Sequence, residues 1–399
     1  MRTLSSFPSH LSIENEKVLL RLDLNVPTDK EGNILDTSRI QVTIPTIKYL
    51  VKQNCKVIIT SHLGRPKGKN LFYSLEKIIP FLENFLDNKK VHFIADCIGA
   101  ETTKHIDSMA PSEIVLLENV RFYAEEESND DAFAKSLHHG VKFFINDAFG
   151  TIHREHASTV GVTKYIENCY AGFLLEKELF YFHSILDSPL RPFAAIIGGS
   201  KVSTKLEMIK TLLDKVNILM IGGGMVFTFF HAFGLNVGCS LVEKEQKENV
   251  IEIQQLAKKK NVELLFPTDI VVTDNIENPT RTKVLPNHAI PDGWVGVDHG
   301  PITNMIAREK LQNCQTIFWN GPMGIYEQSL FETGTKFVAY FLSEMGKNNN
   351  TTTIVGGGDS MAVLKKYNLQ DKITHISSGG GAFLRLFENS PLPALESLK

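Results

Sequence analysis

The sequence predicts a two-domain α/β protein, each domain a mainly parallel sheet flanked by helices. The length is the first reason: 399 residues exceed what one hydrophobic core ordinarily supports. The second is pattern. Short apolar, β-branched runs alternate with longer amphipathic stretches, and strands that alternate with helices pair in parallel with helices on both faces. The third is an asymmetry in the residues at the exits of these runs. In the first half they are Arg, His, Asn and Asp; in the second they are mainly glycine. Of 28 glycines, 7 lie in residues 1–170 and 21 beyond, so one domain is expected to hold its ligand with side chains and the other largely with backbone.

The first series of expected strands is KVLLRLDL (17–24), KVIIT (56–60), VHFI (91–94), EIVLL (113–117) and VKFFIN (141–146). The second is FAAII (193–197), VNILMI (216–221), VELLFP (262–267), DIVVT (269–273), TIFWN (316–320), TTIV (352–355) and THIS (374–377). Helices are expected in ESNDDAFAKSLHHG, KLEMIKTLLDKV and GTKFVAYFLSEMG. CYAGFLLEKELFYFHSIL (169–186) reads as a helix joining the domains; KKK (258–260) as a solvated helix face; NNNTTT (348–353) as a surface loop entering a strand.

Composition narrows the function. A net charge of −3, from 42 basic and 45 acidic residues, argues against a general nucleic-acid binder. Five scattered cysteines without a Cys-x-x-Cys pair suit reduced, buried thiols in a cytoplasmic protein and give no support to zinc ribbons or thioredoxin chemistry. The N-terminal stretch has no signal-peptide pattern, and no apolar run approaches the ~20 residues of a membrane span.

In parallel α/β sheets ligands bind beyond the carboxyl ends of the strands, so the strand exits carry the functional reading. Alternation in RLDLNVP puts Arg21, Asp23 and Asn25 on one face, with Pro27 ending the strand; a structural ion pair is the bland alternative. TSRI adds Arg39, SHLGRP adds His62 and Arg65, ENVRF adds Arg121 and HREH adds Arg154. Arginines at successive strand ends converge on one crevice, and their planar forks suit a small, doubly anionic ligand. His153 and His156 lack a third ligand pattern, which makes them weak evidence for a metal.

GRPKGKN (64–70) resembles a phosphate loop with faulty spacing, since three residues rather than four separate its glycines and Asn70 replaces Ser or Thr. The phosphate signal lies downstream. GGSKVSTK places Gly198 and Gly199 at a strand end, with Lys201 and Lys205 one turn apart near a helix start, an arrangement suited to anions. GGGDS (356–360) opens a helix in which Asp359 and Ser360 serve as N-caps and Asp359 suits a magnesium carried on phosphate oxygens. SGGGAF (378–383) is another glycine-rich helix start, and Glu327 in WNGPMGIYE is placed to accept from ribose hydroxyls. These residues ask for a nucleotide opposite a small acidic substrate. Another nucleotide-dependent carboxylate transferase or ligase, or a two-domain anion-binding protein, satisfies the same residues.

RLDLNVP, SHLGRP, LLENVRF, DAFGTIHREHAS, GGSKVSTK, FWNGPMGIYE, TIVGGGDS and HISSGGGAF, in this order, resemble the motifs of phosphoglycerate kinases, from residue 17 to the closing PLPALESLK. The compact length is similar to that of bacterial members. The resemblance implies two Rossmann-like domains joined by a helix and hinge. Residues 1–170 with 386–399 would bind 3-phosphoglycerate or 1,3-bisphosphoglycerate, and residues 171–385 would bind MgADP or MgATP. It assigns Asp23, Asn25, Arg39, His62, Leu63, Gly64, Arg65, Arg121 and Arg154 to the phosphoglycerate. It assigns Lys201, Lys205, Gly296, Asn320, Glu327, Gly357, Gly358, Asp359 and Ser360 to the nucleotide, with Asp359 toward Mg2+. Arg39, Lys201, Lys205, Gly357 and Gly380 are the expected catalytic set. Domain closure and a monomeric, cytoplasmic enzyme are implied too. Three departures stand out: Thr204 where relatives often carry Asp, and Phe383 and Arg385 where Ser and Glu are usual, which bear on local helix packing and the hinge.

Overall fold

The computed structural model describes residues 1–8, 11–347, 351–388 and 390–399. Residues 348–350 of the expected NNNTTT loop lie outside that set. The chain forms two compact units, Met1–Phe180 with Pro391–Lys399, and Tyr181–Ser390.

In the first unit the described strands are β1 (Lys17–Leu22), β2 (Lys56–Thr60), β3 (Val91–Ile94), β4 (Ile114–Leu117), β5 (Phe143–Asp147) and β6 (Asn168–Ala171). They form one parallel sheet in the order β3-β4-β2-β1-β5-β6. The chain leaves β1 to one side through β2 and crosses to the other at β5. The crevice of such a sheet opens at that reversal. β1 is central and buried from Val18 to Leu22. Its alternation therefore does not separate a wet face from a dry one, because parallel sheets are covered on both sides. The strand ends at Leu22, so Asp23 and Asn25, expected on it, lie in the loop beyond it.

CYAGFLLEKELFYFHSIL is not one helix. Its first three residues complete β6, and the helix runs Phe173–Leu186. Gly172 makes the break: a Cβ there would collide with the Asp147 carboxyl, whose Oδ1 accepts from Leu175 N–H at 2.9 Å in the first turn of the helix. The C-terminal segment returns to this unit, with Ala394 N–H on the Ile152 carbonyl at 3.3 Å and Arg2 N–H on the Leu398 carbonyl at 3.2 Å.

The second unit contains β7 (Phe193–Ile197), β8 (Ile218–Ile221), β9 (Glu263–Leu265), β10 (Asp269–Thr273), β11 (Thr282–Pro286), β12 (Val295–His299), β13 (Thr316–Asn320), β14 (Thr352–Gly356) and β15 (His375–Ile376). Six of the described strands form a parallel sheet, β15-β14-β13-β7-β8-β9, which reverses between β7 and β13. DIVVT departs from the expected parallel series. As β10 it pairs antiparallel with β11 and β12 in a separate three-stranded sheet. The loop after it is tied back by Asp274, whose Oδ1 accepts from Thr280 and Arg281 N–H at 3.1 Å each, and this turns the chain into a hairpin. β11 and β12 carry weak apolar signals and escape a reading based on apolar runs; β11 is largely exposed.

The two unusual residues after the last triple glycine have local partners. Phe383 is fully buried in an aromatic cluster, its ring centroid 5.7 Å from Phe182 and Phe318 and 5.6 Å from Phe387. Arg385 is exposed and pairs with Glu388 at 2.9 Å, one turn along. Phe383→Ala should remove about 3–5 kcal/mol of stability. Both tryptophans, Trp294 and Trp319, lie in this unit. Their fluorescence should therefore show a lower urea midpoint, and an unchanged midpoint would show that the cluster contributes little.

Candidate active site

At the carboxyl end of the first sheet, four loops converge. Ser61, just after β2, accepts from Leu24 N–H at 3.0 Å and donates to the Leu22 carbonyl at 2.8 Å, joining the exits of β1 and β2. Asn25 Oδ1 accepts from Gly64 N–H at 2.8 Å. Asn119 Nδ2 donates to the Leu63 carbonyl at 2.8 Å and to the Tyr73 carbonyl at 2.9 Å. Arg121 Nη1 donates to the Gly64 carbonyl at 2.6 Å. Gly64 has φ +64°, and a Cβ there would run into the Tyr73 ring, so only glycine closes this turn. Leu63 is buried and takes part through its backbone.

Arg39 is aimed by the β1 exit. Its Nη1 donates to the Asn25 carbonyl at 2.9 Å and lies 3.2 Å from Asp23 Oδ2. Among the described residues all its hydrogen bonds use Nη1, which leaves Nε and Nη2 for a ligand. Arg154 has a buried Nη1 with no partner in the protein, a donor whose desolvation only an anion or water would offset. Arg121 Nε lies 3.1 Å from Glu127 Oε1 but is not aligned as a hydrogen bond. Burial, then Arg154, pulls Arg121 down to about 10. Burial lowers Arg154 too, opposed by Asp23 and Glu127 and reinforced by Arg65 and Arg39. Arg39, Arg121 and Arg154 thus lie near one another here, an arrangement that suits an anion. Arg65, like Lys67 and Lys69, is exposed at its rim.

In the second unit, the glycine loops pack on each other. A Cβ at Gly198 would strike the Pro322 carbonyl, and one at Gly223 would strike Gly199 backbone. Gly198 N–H donates to the Asn320 carbonyl and Gly199 N–H to the Pro322 carbonyl, at 2.9 Å each. The expected anion site at these two amides is therefore corrected: they are committed within the fold. Lys201 and Lys205 do not share a helix face either, because the helix begins at Leu206 with Lys205 as its N-cap residue. Lys201 sits exposed in the preceding turn, where Thr204 Oγ1 donates to its carbonyl at 2.9 Å.

Lys205 instead reaches Asn320, donating to its Oδ1, while Asn320 Nδ2 donates to the Gly356 carbonyl at 2.8 Å. This joins the ends of β13 and β14. The helix Gly358–Lys366 follows, with Gly357 at φ +95° as its N-cap residue. Asp359 and Ser360 are inside the first turn rather than caps. Ser360 Oγ accepts from Gly321 N–H at 2.7 Å, while Asp359 is exposed. Space is open around Gly358 and Gly380, where a Cβ would meet nothing.

A cavity of about 520 Å³ adjoins these residues, within the range of small-molecule sites. Its lining combines apolar Phe227, Leu241 and Ile276 with Gly296, Glu327, Gly199, Ser200 and Asp359. A Cβ at Gly296 would collide with the Phe227 ring, so glycine is what lets these two lining residues pack together. The apolar walls escape sequence reading because they look like core. Cys239, also at the cavity, is exposed, against the expectation that all five thiols are buried; the other four are.

Among the described residues no group of three or more His, Cys, Asp or Glu is placed to hold a metal ion. Magnesium carried on phosphates needs only one or two carboxylates, and exposed Asp359 beside open backbone fits that role.

An anion crevice on one parallel α/β unit and a nucleoside-sized cavity on another describe a nucleotide-dependent phosphotransferase of the kinase class. The phosphoglycerate kinase family profile matches residues 9–390. Phosphoglycerate kinase of Thermosynechococcus vestitus is 47% identical over 98% of this chain and 97% of its own. The cytosolic phosphoglycerate kinase 3 of Arabidopsis thaliana is 48% identical over 97% and 96%. The structure of phosphoglycerate kinase from Coxiella burnetii superposes with TM-score 0.88 at 37% identity, covering 98% of this chain and 97% of that one. The chain belongs to the phosphoglycerate kinase family.

Proposed function

We propose that this chain reversibly transfers a phosphoryl group from 1,3-bisphosphoglycerate to MgADP, giving 3-phosphoglycerate and MgATP, as a cytoplasmic monomer. The observation that carries this reading is the cavity of the second unit, whose lining combines apolar walls with Asp359, Glu327 and Ser200. Such a mixed lining suits a nucleotide, with apolar contact for the base and polar groups for ribose and phosphates.

In the reverse direction the nucleophile is a carboxylate. With a pKa near ~4 it is ionised at neutral pH and needs no general base. The barrier is the approach of one anion to another, so catalysis consists of positioning and electrostatic stabilisation. Arg121, Arg154, Arg65, His62, Asn25 and Asp23 hold the phosphoglycerate, with Leu63 and Gly64 supplying backbone. Arg39 directs its unused guanidinium edge at the carboxyl and transferring phosphoryl. Lys205, held by Asn320, stabilises that phosphoryl from the nucleotide unit, with exposed Lys201 and the backbone at Gly357, Gly358 and Gly380 as further donors. Glu327 accepts from the ribose, Gly296 admits the base, and Ser360 fixes the turn at Gly321. Asp359 would hold magnesium, which supplies charge neutralisation of the nucleotide phosphates. In-line transfer needs both substrates brought together and water excluded, so turnover includes domain closure.

ATP formation from 1,3-bisphosphoglycerate and ADP, with magnesium under reducing conditions, is the direct test. Robust formation is expected. Its absence would leave another carboxylate kinase or ligase, or an anion-binding protein, as the better reading.

A further inference from the structure

β1 carries an arginine that the substrate crevice does not use. Arg21 is 1% exposed, a buried guanidinium whose cost must be met by partners. Its Nε donates to Ser158 Oγ at 2.8 Å, Nη1 donates to the Leu22 carbonyl, and Nη2 lies 3.2 Å from His62 Nδ1. Ser158 in turn donates from Oγ to Glu126 Oε1 at 2.6 Å and from its backbone N–H to Glu126 Oε2 at 2.8 Å. Glu126 is fully buried. The result is a polar chain, Glu126–Ser158–Arg21–His62, running behind the crevice, with His156 Nδ1 3.7 Å from Glu126 Oε1 at its far end.

The chemistry of the last link is one-directional. A guanidinium has donors and no acceptor, so His62 Nδ1 must accept and carry no proton. Among the described residues Nε2 has no protein hydrogen-bond partner. We propose that Arg21 is a positioning residue: it fixes His62 as the neutral imidazole protonated on Nε2, so that His62 meets the phosphoglycerate as a hydrogen-bond donor and not as a cation. The surroundings agree. Burial, then Arg21, Arg121, Arg154 and Arg39, hold His62 well below the usual histidine range, while Glu126 and Asp23 are the carboxylates that face Arg21. The arginines supply the positive field, and His62 supplies a directed N–H whose charge is constant across neutral pH. Affinity for the anion should then show no histidine step there.

The inference rests on His62 as a substrate residue, and the experiment separates the two. Two-bond 1H–15N correlations of the 15N-labelled enzyme, with His62 assigned from His62→Asn among the 13 histidines, report the tautomer without substrate. The Nε2–H pattern is expected from pH 5.5 to 8. An Nδ1–H pattern, or protonation near pH ~6.5 as in free histidine, would overturn the proposal. Adding 3-phosphoglycerate should shift the His62 Nε2 signal. A fixed signal with the expected tautomer would overturn the role of His62 at the substrate and not the action of Arg21 on it. The paired variant Arg21→Met/Glu126→Gln removes both buried charges. It should mix the tautomers and raise KM for 3-phosphoglycerate roughly threefold to tenfold, the weight of one hydrogen bond, with kcat little changed. Arg21→Lys keeps a donor-only group and should restore the Nε2–H form. An unmixed tautomer in the paired variant would refute the role of Arg21, and the wild-type measurement decides the case if the variant does not fold.

Discussion

Arg39→Ala is expected to lower kcat by about 10²–10³-fold, the usual cost of removing one preorganised donor from a developing oxyanion. KM for MgADP should change little. The structure sets out why the loss falls on turnover. Asp23 and the Asn25 carbonyl hold one amino group of Arg39 at 3.2 and 2.9 Å, leaving the rest of the fork for the reacting groups. The side chain is thus aimed before substrate arrives, and its contribution costs no reorganisation during transfer. Arg39→Lys keeps the charge and loses the fork, so it should recover only part of the rate. Steady-state kinetics with each substrate varied make the test, and a normal kcat in Arg39→Ala would remove this residue from the mechanism.

Lys205→Ala should cost about 10²-fold in kcat for the same physical reason. It should also change the pH profile. Burial disfavours the Lys205 ammonium and lowers its pKa, with Asp359 partly restoring it. The charged form is the one that stabilises the phosphoryl oxygens. It is present at low pH and is lost as pH rises through the lowered pKa. The alkaline fall in kcat should therefore begin below the ~10.4 of an ordinary lysine. Lys205→Ala should be slow and lack that limb, whereas Lys205→Arg should move the limb upward. Full activity in Lys205→Ala would refute the assignment. Lys201, exposed and without the link to Asn320, should matter less to the limb.

The candidate site was legible in the sequence wherever a candidate residue directly follows a strand. SHLGRP, ENVRF and GGGDS are such cases, since in a parallel sheet the carboxyl ends all open on one side. Local reading failed where a group's role depends on a partner far along the chain. Gly198 and Gly199 looked like free anion-binding amides, but residues 320 and 322 accept from both. Lys201 and Lys205 looked equivalent by spacing, yet the helix starts at Leu206, after both of them, so they share no helix face. Phe227 and Ile276 gave no signal at all, because a cavity wall and a core residue have the same composition.

The sequence by itself determined two α/β units, most of their strands, the side-chain-rich and glycine-rich exits, and the family these exits resemble. Those properties follow from period, composition and short motifs, which are local. Tertiary structure alone decided that β10 leaves the parallel sheet, that Asn320 selects Lys205, and that Phe383 joins an aromatic cluster. It alone decided, too, that Arg21 meets His62 and Ser158, 41 and 137 residues away along the chain. Hydrogen bonds and packing act through space, and a buried donor is given its role by whichever acceptor the fold brings within about 3 Å.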